Sequence, residues 1–235
     1  MSLRMSEQSS DPKSFPAHEL VEGDDLPRIV PGSADQGEVE ILREELIWEN
    51  HAVRLFKDRV RYPATRDGEH VEDDVFRLTD APGKMNGVIT IPITDDDRII
   101  LVRQFRHPVR MWMLELPRGS RNPGESPEAA AAREIHEEIG CRCTATESLG
   151  RVSPDSGQLS SIPHIIAARV RRDGAPEREE TETIDRTVAM PYPILRSACE
   201  RGEILDAYTL AAVTRIAPLV RDGRIVLECE RSGRA

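Results

Sequence analysis

The chain of 235 residues holds 42 acidic and 32 basic residues, a net charge of −10, with 38% apolar and 31% charged side chains. That length suits one domain, or one domain with an appended arm, and the apolar fraction is enough for a core. The acidic surplus argues against a protein built mainly to grip nucleic-acid phosphates, and no apolar run approaches the roughly 20 residues of a membrane span. An acidic surplus has two physical readings: a solvated surface, or carboxylates gathered for a divalent metal. The opening MSLRMSEQSS has no apolar stretch behind its charge, so no secretory signal is expected. Cys141, Cys143, Cys199 and Cys229 form neither a C-x-x-C pair nor a disulfide framework. A reduced, cytoplasmic setting suits them.

Residues 1–40 are rich in Ser, Pro, Gly, Asp and Glu and read as an irregular arm, with a weak helix or strand near Val39–Leu46. Apolar residues alternate in HAVRLFKDRVRY and again in DVFRL, which predicts antiparallel strands and a β-rich region over 41–85. After Asn86-Gly87, the segments GVITIPIT, DDDRIILVRQF and MWMLELP read as strands, with a polar turn at Asp95–Asp97. Ser126 is the predicted N-cap of a helix, Pro127 its first residue, PEAAAAREIHEEI its body and Gly140 its stop. SLGRVS, HIIAARVR and IDRTVAMPY follow as strands, separated by the turn-rich SPDSGQLSSIP and the charged loop APEREETET. PILRSACERG and AYTLAAVTRIAPLVRDG read as closing helices. Strands on both sides of one central helix, with helices at the end, predict an α/β sandwich and not regular βαβ winding. The main domain is expected over 86–225, with a short tail at 226–235.

Glu134, Glu137 and Glu138 stand at i, i+3 and i+4, so they project from one face of the central helix. Three anions about 5–6 Å apart repel one another, at roughly 3 kcal/mol per pair for an effective dielectric near 20. Their nearest basic partner in the chain is Arg133. The stripe is either solvated or a hard-cation site, since oxygen ligands around Mg²⁺ or Mn²⁺ relieve the repulsion. Its surroundings favour the cation. Gly119, Glu125, Arg133, Glu134, Glu137, Glu138 and Gly140 satisfy G-x5-E-x7-R-E-U-x-E-E-x-G-U at every fixed position, with Ile135 in the first apolar slot. At roughly 7% usage per residue, chance agreement is on the order of one in 10⁸ per starting point. The pattern resembles the signature of the Nudix hydrolases. Cys141 departs from it in the last apolar slot, but it is a small residue of the buried type.

The resemblance implies an α/β/α sandwich with a mixed sheet, preceded by a β-rich N-terminal arm. It implies that Glu134 and Glu138 ligate Mg²⁺ or Mn²⁺ together with the backbone carbonyl of Arg118, while Glu137 completes or bridges the site. Gly119 is expected to turn the chain sharply out of the ELPR strand into a loop. Arg133 is expected to pin a carboxylate, with Glu125 as its partner or as a group just behind the ligands.

LVRQFRHP followed by MLELPRG looks like the ADP-ribose and nucleotide-sugar pyrophosphatase branch of that family. In that branch the arginine matching Arg106 contacts substrate phosphate, and Glu115 lies in the strand leading to the site. The competing reading of Arg106 is a salt bridge on the sheet surface. Residues 41–85 resemble the branch's arm, which forms a homodimer and contributes to each partner's nucleoside pocket. Pro154 falls in a loop where the ADP-ribose group commonly carries a proline. An E-x-E-x-I run, here Glu180-Thr181-Glu182-Thr183-Ile184, would supply a general base in Glu180 and a further metal ligand in Glu182. Glu137 is the alternative base, and a merely solvated loop is the plain alternative. His107, His136 and His164 read as packing or surface residues. The implied activity is Mg²⁺-dependent hydrolysis of ADP-ribose, or a related nucleoside diphosphate derivative, to AMP and ribose 5-phosphate. Its rivals are a UDP- or GDP-sugar pyrophosphatase and a non-catalytic module that senses ADP-ribose, against which the intact glutamates weigh.

Overall fold

The computed structural model describes residues 38–65, 67–178 and 182–223, together with Ile29 and Gly32. Three strands, β1 (Glu40–Glu49), β2 (Val53–Arg61) and β3 (Glu72–Asp80), form an antiparallel sheet in that order. The weak element near Val39–Leu46 is thus a strand that runs on to Glu49. Backbone bonds from Leu78 N–H to Gln158 O (2.8 Å) and from Ser160 N–H to Leu78 O (3.0 Å) tie this sheet to the turn-rich segment of the main domain.

The main sheet is built from β4 (Met85–Ile93), β5 (Arg98–Arg106), β6 (Met111–Glu115), β7 (Arg118–Arg121), β8 (Cys141–Arg151), β9 (His164–Arg172) and β10 (Ile184–Pro191). Its order is β10-β5-β4-β9-β8, with β6 on β5 and β7 on β4. Only the β4–β9 pairing is parallel among these, so the sheet is mixed. Side chains alternate across the sheet every second residue, and the two apolar sets part accordingly. Ile89, Ile91, Ile93, Ile99, Leu101, Ile165 and Ala167 pack with Leu195 of α2 (Tyr192–Glu200) and with Ala212 and Ile216 of α3 (Ala207–Arg221). Val88, Val102, Ile166, Ala168 and Val170 face the other way, onto Ala130, Ala131, Ile135 and Ile139 of α1 (Pro127–Ile139). Each fully buried branched side chain contributes roughly 1.5–3 kcal/mol. The result is the helix–sheet–helix sandwich expected from the sequence.

The α1 signals act as read. Ser126 accepts from the Ala129 N–H at 3.1 Å, Pro127 opens the helix, and Gly140 closes it at φ 65°. Two boundaries differ. The chain does not turn at Gly119; it continues as β7, with Val88 paired to Gly119 and Ile89 to Arg118, and the turn falls later, at Gly124 with φ 77°. β8 starts at Cys141, seven residues before the predicted SLGRVS strand, because CRCTATE pairs with the end of β9 and sets Cys141 into the α1 side of the core. Most of the predicted 1–40 arm and the tail at 226–235 lie outside the described residues. Among the described residues, no helix is long and apolar enough to cross a membrane.

Candidate metal centre and active site

α1 carries Glu134 and Glu138 on its inward side, where they are only 6% and 2% exposed. The Glu134 carboxylate lies directly over β7: a Cβ on Gly119 would stand 2.1 Å from its Cδ. Gly119 is therefore required for close approach and not for a turn. The Arg118 backbone N–H donates to Glu138 Oε1 at 3.3 Å, while Glu138 Oε2 is buried with no hydrogen-bond partner. Glu182, two residues before β10, supplies a third carboxylate. One oxygen from each of Glu134, Glu138 and Glu182 lies within 4.8 Å of the other two.

Burial pushes the Glu138 carboxyl up to about 9, and the neighbouring Glu182 and Glu134 anions add to the effect. Burial also raises Glu134 to about 7, against the pull of Arg133. Three converging carboxylates with an unsatisfied oxygen are unfavourable as anions alone. An all-oxygen donor set fits a hard divalent cation such as Mg²⁺ or Mn²⁺.

Arg133 organises the outer side of the cluster. Its Nε and Nη2 donate to the two oxygens of Glu125 (3.1 and 3.2 Å), and Nη2 also to Ser120 O (2.7 Å). Nη1 donates to Glu134 Oε1 at 2.7 Å and to Glu137 Oε2 at 2.9 Å. That guanidinium holds the Glu125 carboxyl below its ordinary range. Glu137 faces Arg133 and stands outside the close trio. It lines, with His51, Lys84, Asn122, Glu134 and Glu182, an open cavity of about 370 Å³. Glu180 lies outside the described residues.

A Gly119→Ala substitution should expel Glu134 from its seat, since a methyl cannot share that space. The expected result is metal binding weaker by about tenfold or more, a magnitude typical of disturbed ligand support. Thermal shift with added Mg²⁺ measures it, and a wild-type shift would show that Glu134 need not sit on β7.

Arg106 and Glu115 meet each other across β5 and β6. Arg106 Nε and Nη2 bind the two Glu115 oxygens at 2.7 and 3.1 Å, and Arg118 Nη2 adds a third bond to Glu115 Oε2 at 2.9 Å. Glu115 is fully buried. With both oxygens engaged, it fixes the two guanidinium groups beside it. Arg118 also lies 3.6 Å from Asp206 and stacks over the Tyr208 ring at 4.5 Å. Asp206 and Tyr208 went unread in the sequence. The Asp206-x-x-Thr209 cap of α3 is the local signal that places Asp206 there: its carboxylate accepts from Thr209 N–H at 2.9 Å.

A model of the NUDIX domain matches residues 83–205, a little over half of the chain. The chain belongs to the Nudix hydrolase family. This Nudix hydrolase is 29% identical over 178 residues to the methanol dehydrogenase activator of Bacillus methanolicus, spanning 75% of this chain and 91% of that protein. It is 27% identical over 179 residues to the ADP-ribose pyrophosphatase of Bacillus subtilis (strain 168), again 75% of this chain and 91% of the relative. Its fold matches the crystal structure of an ADP compounds hydrolase with a TM-score of 0.67 at 22% identity, covering 80% of this chain and 97% of that one. The mixed-sheet sandwich is thus a Nudix fold.

Proposed function

We propose that this Nudix hydrolase uses Mg²⁺ or Mn²⁺ to cleave the diphosphate of ADP-ribose, or of a closely related nucleoside diphosphate derivative, releasing AMP and ribose 5-phosphate from ADP-ribose. The observation that carries the reading is the trio of buried Glu134 and Glu138 with half-buried Glu182, with oxygens within 4.8 Å. The name of the B. subtilis relative supports the ADP-ribose part. A bound divalent ion supplies charge neutralisation on the diphosphate and a more acidic water. The chain supplies the rest. Glu134, Glu138 and Glu182 would hold the ion, together with the Arg118 carbonyl. Arg106, held by Glu115, balances charge on non-bridging phosphate oxygens, and Glu180 accepts the proton of the attacking water.

The test is incubation of the pure protein and Mg²⁺ with ADP-ribose, UDP-glucose, GDP-mannose and NADH, following AMP, UMP and GMP. AMP from ADP-ribose, abolished by EDTA, is expected. UMP or GMP as the main product would assign a nucleotide-sugar pyrophosphatase instead. Nucleotide release from none of the four would leave a module that binds without cleaving.

We also propose a homodimer through residues 41–85. β1 leaves Ile41, Leu46, Ile47 and Trp48 between 45% and 54% exposed, and Phe76 of β3 is 53% exposed. A three-stranded sheet with that much open apolar surface needs something to bury it. Light scattering at micromolar concentration should give twice the chain mass, and deleting 41–85 should yield an unstable or monomeric, poorly active protein. A full-length monomer would contradict this.

A further inference from the structure

The C-terminal end of α1 leaves its last carbonyls without partners inside the helix. The segment after β9 covers them in an ordered sequence. Gly140 O accepts from Asp173 N–H (3.0 Å) and Gly174 N–H (3.1 Å), and Glu137 O accepts from Glu177 N–H (2.8 Å). The fit is tight, because a Cβ on Gly140 would stand 2.7 Å from Gly174 O. The last contact differs in kind. Arg178 Nε donates to Glu138 O at 3.0 Å, and Arg178 Nη1 donates to Ile184 O at 3.1 Å.

One guanidinium therefore joins the main chain of Glu138 to the first residue of β10. Its planar fork fixes the separation of the two carbonyls, which a flexible ammonium would not do. Ile184 is itself anchored in the α1 side of the core. Glu182 is two residues before Ile184, so its Cα lies at most about 7 Å from that anchor. The trio has two of its members on rigid α1, and the third enters just before Ile184, where Arg178 ties the main chain of α1 to β10 and the Phe105 N–H bond to Thr183 O (2.9 Å) ties the segment to β5. We infer that Arg178 is a positioning residue that holds Glu182 against Glu134 and Glu138 and so prepares the cluster for its cation.

This inference rests on the metal-binding part of the reading above. The simpler role for Arg178 is a positive charge at a helix C-terminus, which lysine would fill equally well. The two roles separate in a Mn²⁺ titration by calorimetry on the full chain, comparing wild type with Arg178→Lys and Arg178→Gln, beside melting curves in EDTA. Both variants should bind Mn²⁺ about tenfold more weakly, as displaced ligand support does. Turnover at saturating Mn²⁺ should stay within about twofold of wild type, because the defect is one of binding. In EDTA the lysine variant should melt no lower than wild type, since loosening the bridge relaxes three crowded carboxylates. Wild-type Mn²⁺ affinity in Arg178→Lys would overturn the positioning role, and so would a loss of affinity matched by a fall in the EDTA melting temperature. If the glutamine variant does not fold, the lysine variant alone decides. Weakened Mn²⁺ binding with a blank substrate panel would uphold the inference and sink the proposed activity, whereas a wild type that binds no Mn²⁺ would sink both.

Discussion

Glu138→Gln is expected to lower turnover by well over about tenfold while making the metal-free protein more heat-resistant at alkaline pH. The first effect follows from replacing a charged ligand with a neutral one at the most buried corner of the trio. The second follows from the proton that Glu138 holds. Its folded-state carboxyl titrates near 9 against an ordinary value of 4.5. The folded chain therefore binds this proton more tightly than the unfolded chain does. The stabilisation is fully present below about pH 4.5 and is lost as pH rises through about 9. Glu134, raised to about 7, bends the same curve at lower pH. Glutamine has no proton to lose, so the variant should show a flatter melting profile between pH 5 and 9 in EDTA. Steady-state kinetics over a Mg²⁺ series, beside melting curves over that pH range, check both halves. Near-normal turnover at saturating Mg²⁺ would remove Glu138 from the ligand set.

The central helix was legible because its signals are local. A serine cap, a proline at the first position and a glycine at the stop act within a few residues of the helix they bound. The acidic face was legible too, since i, i+3 and i+4 spacing on a helix fixes a shared direction. The role of Gly119 was not. Its need for a missing side chain comes from Glu134, fifteen positions later, pressed onto β7. β7 itself is short and polar, and only pairing with β4 makes it a strand. The same holds for Glu115, whose partners Arg106 and Arg118 sit close in sequence but whose burial depends on the arrival of α3 with Asp206 and Tyr208. Arg178 was invisible as anything but one more charge in a charged loop. Its two acceptors are main-chain carbonyls, and no residue pattern records those.

The largest expected loss separates the proton acceptor from the ligands. If Glu180 takes the proton from water, Glu180→Gln should lower kcat by about 10²–10⁴ with little change in KM or in the Mg²⁺ concentration for half-maximal rate. Glu182→Gln should behave differently, because its carboxylate sits with Glu134 and Glu138 in the trio. It should raise the Mg²⁺ requirement first, and much of its rate should return at high Mg²⁺. Glu137→Gln is the control. Glu137 is hydrogen-bonded to Arg133 on the rigid helix, is about one-third exposed, and lines the open cavity. It is thus a carboxylate placed to reach a water there. A larger fall in kcat at Glu137 than at Glu180 would move the base onto α1. Unchanged kcat in Glu180→Gln would remove it as the base, whatever the substitutions at Glu134, Glu138 and Glu182 do.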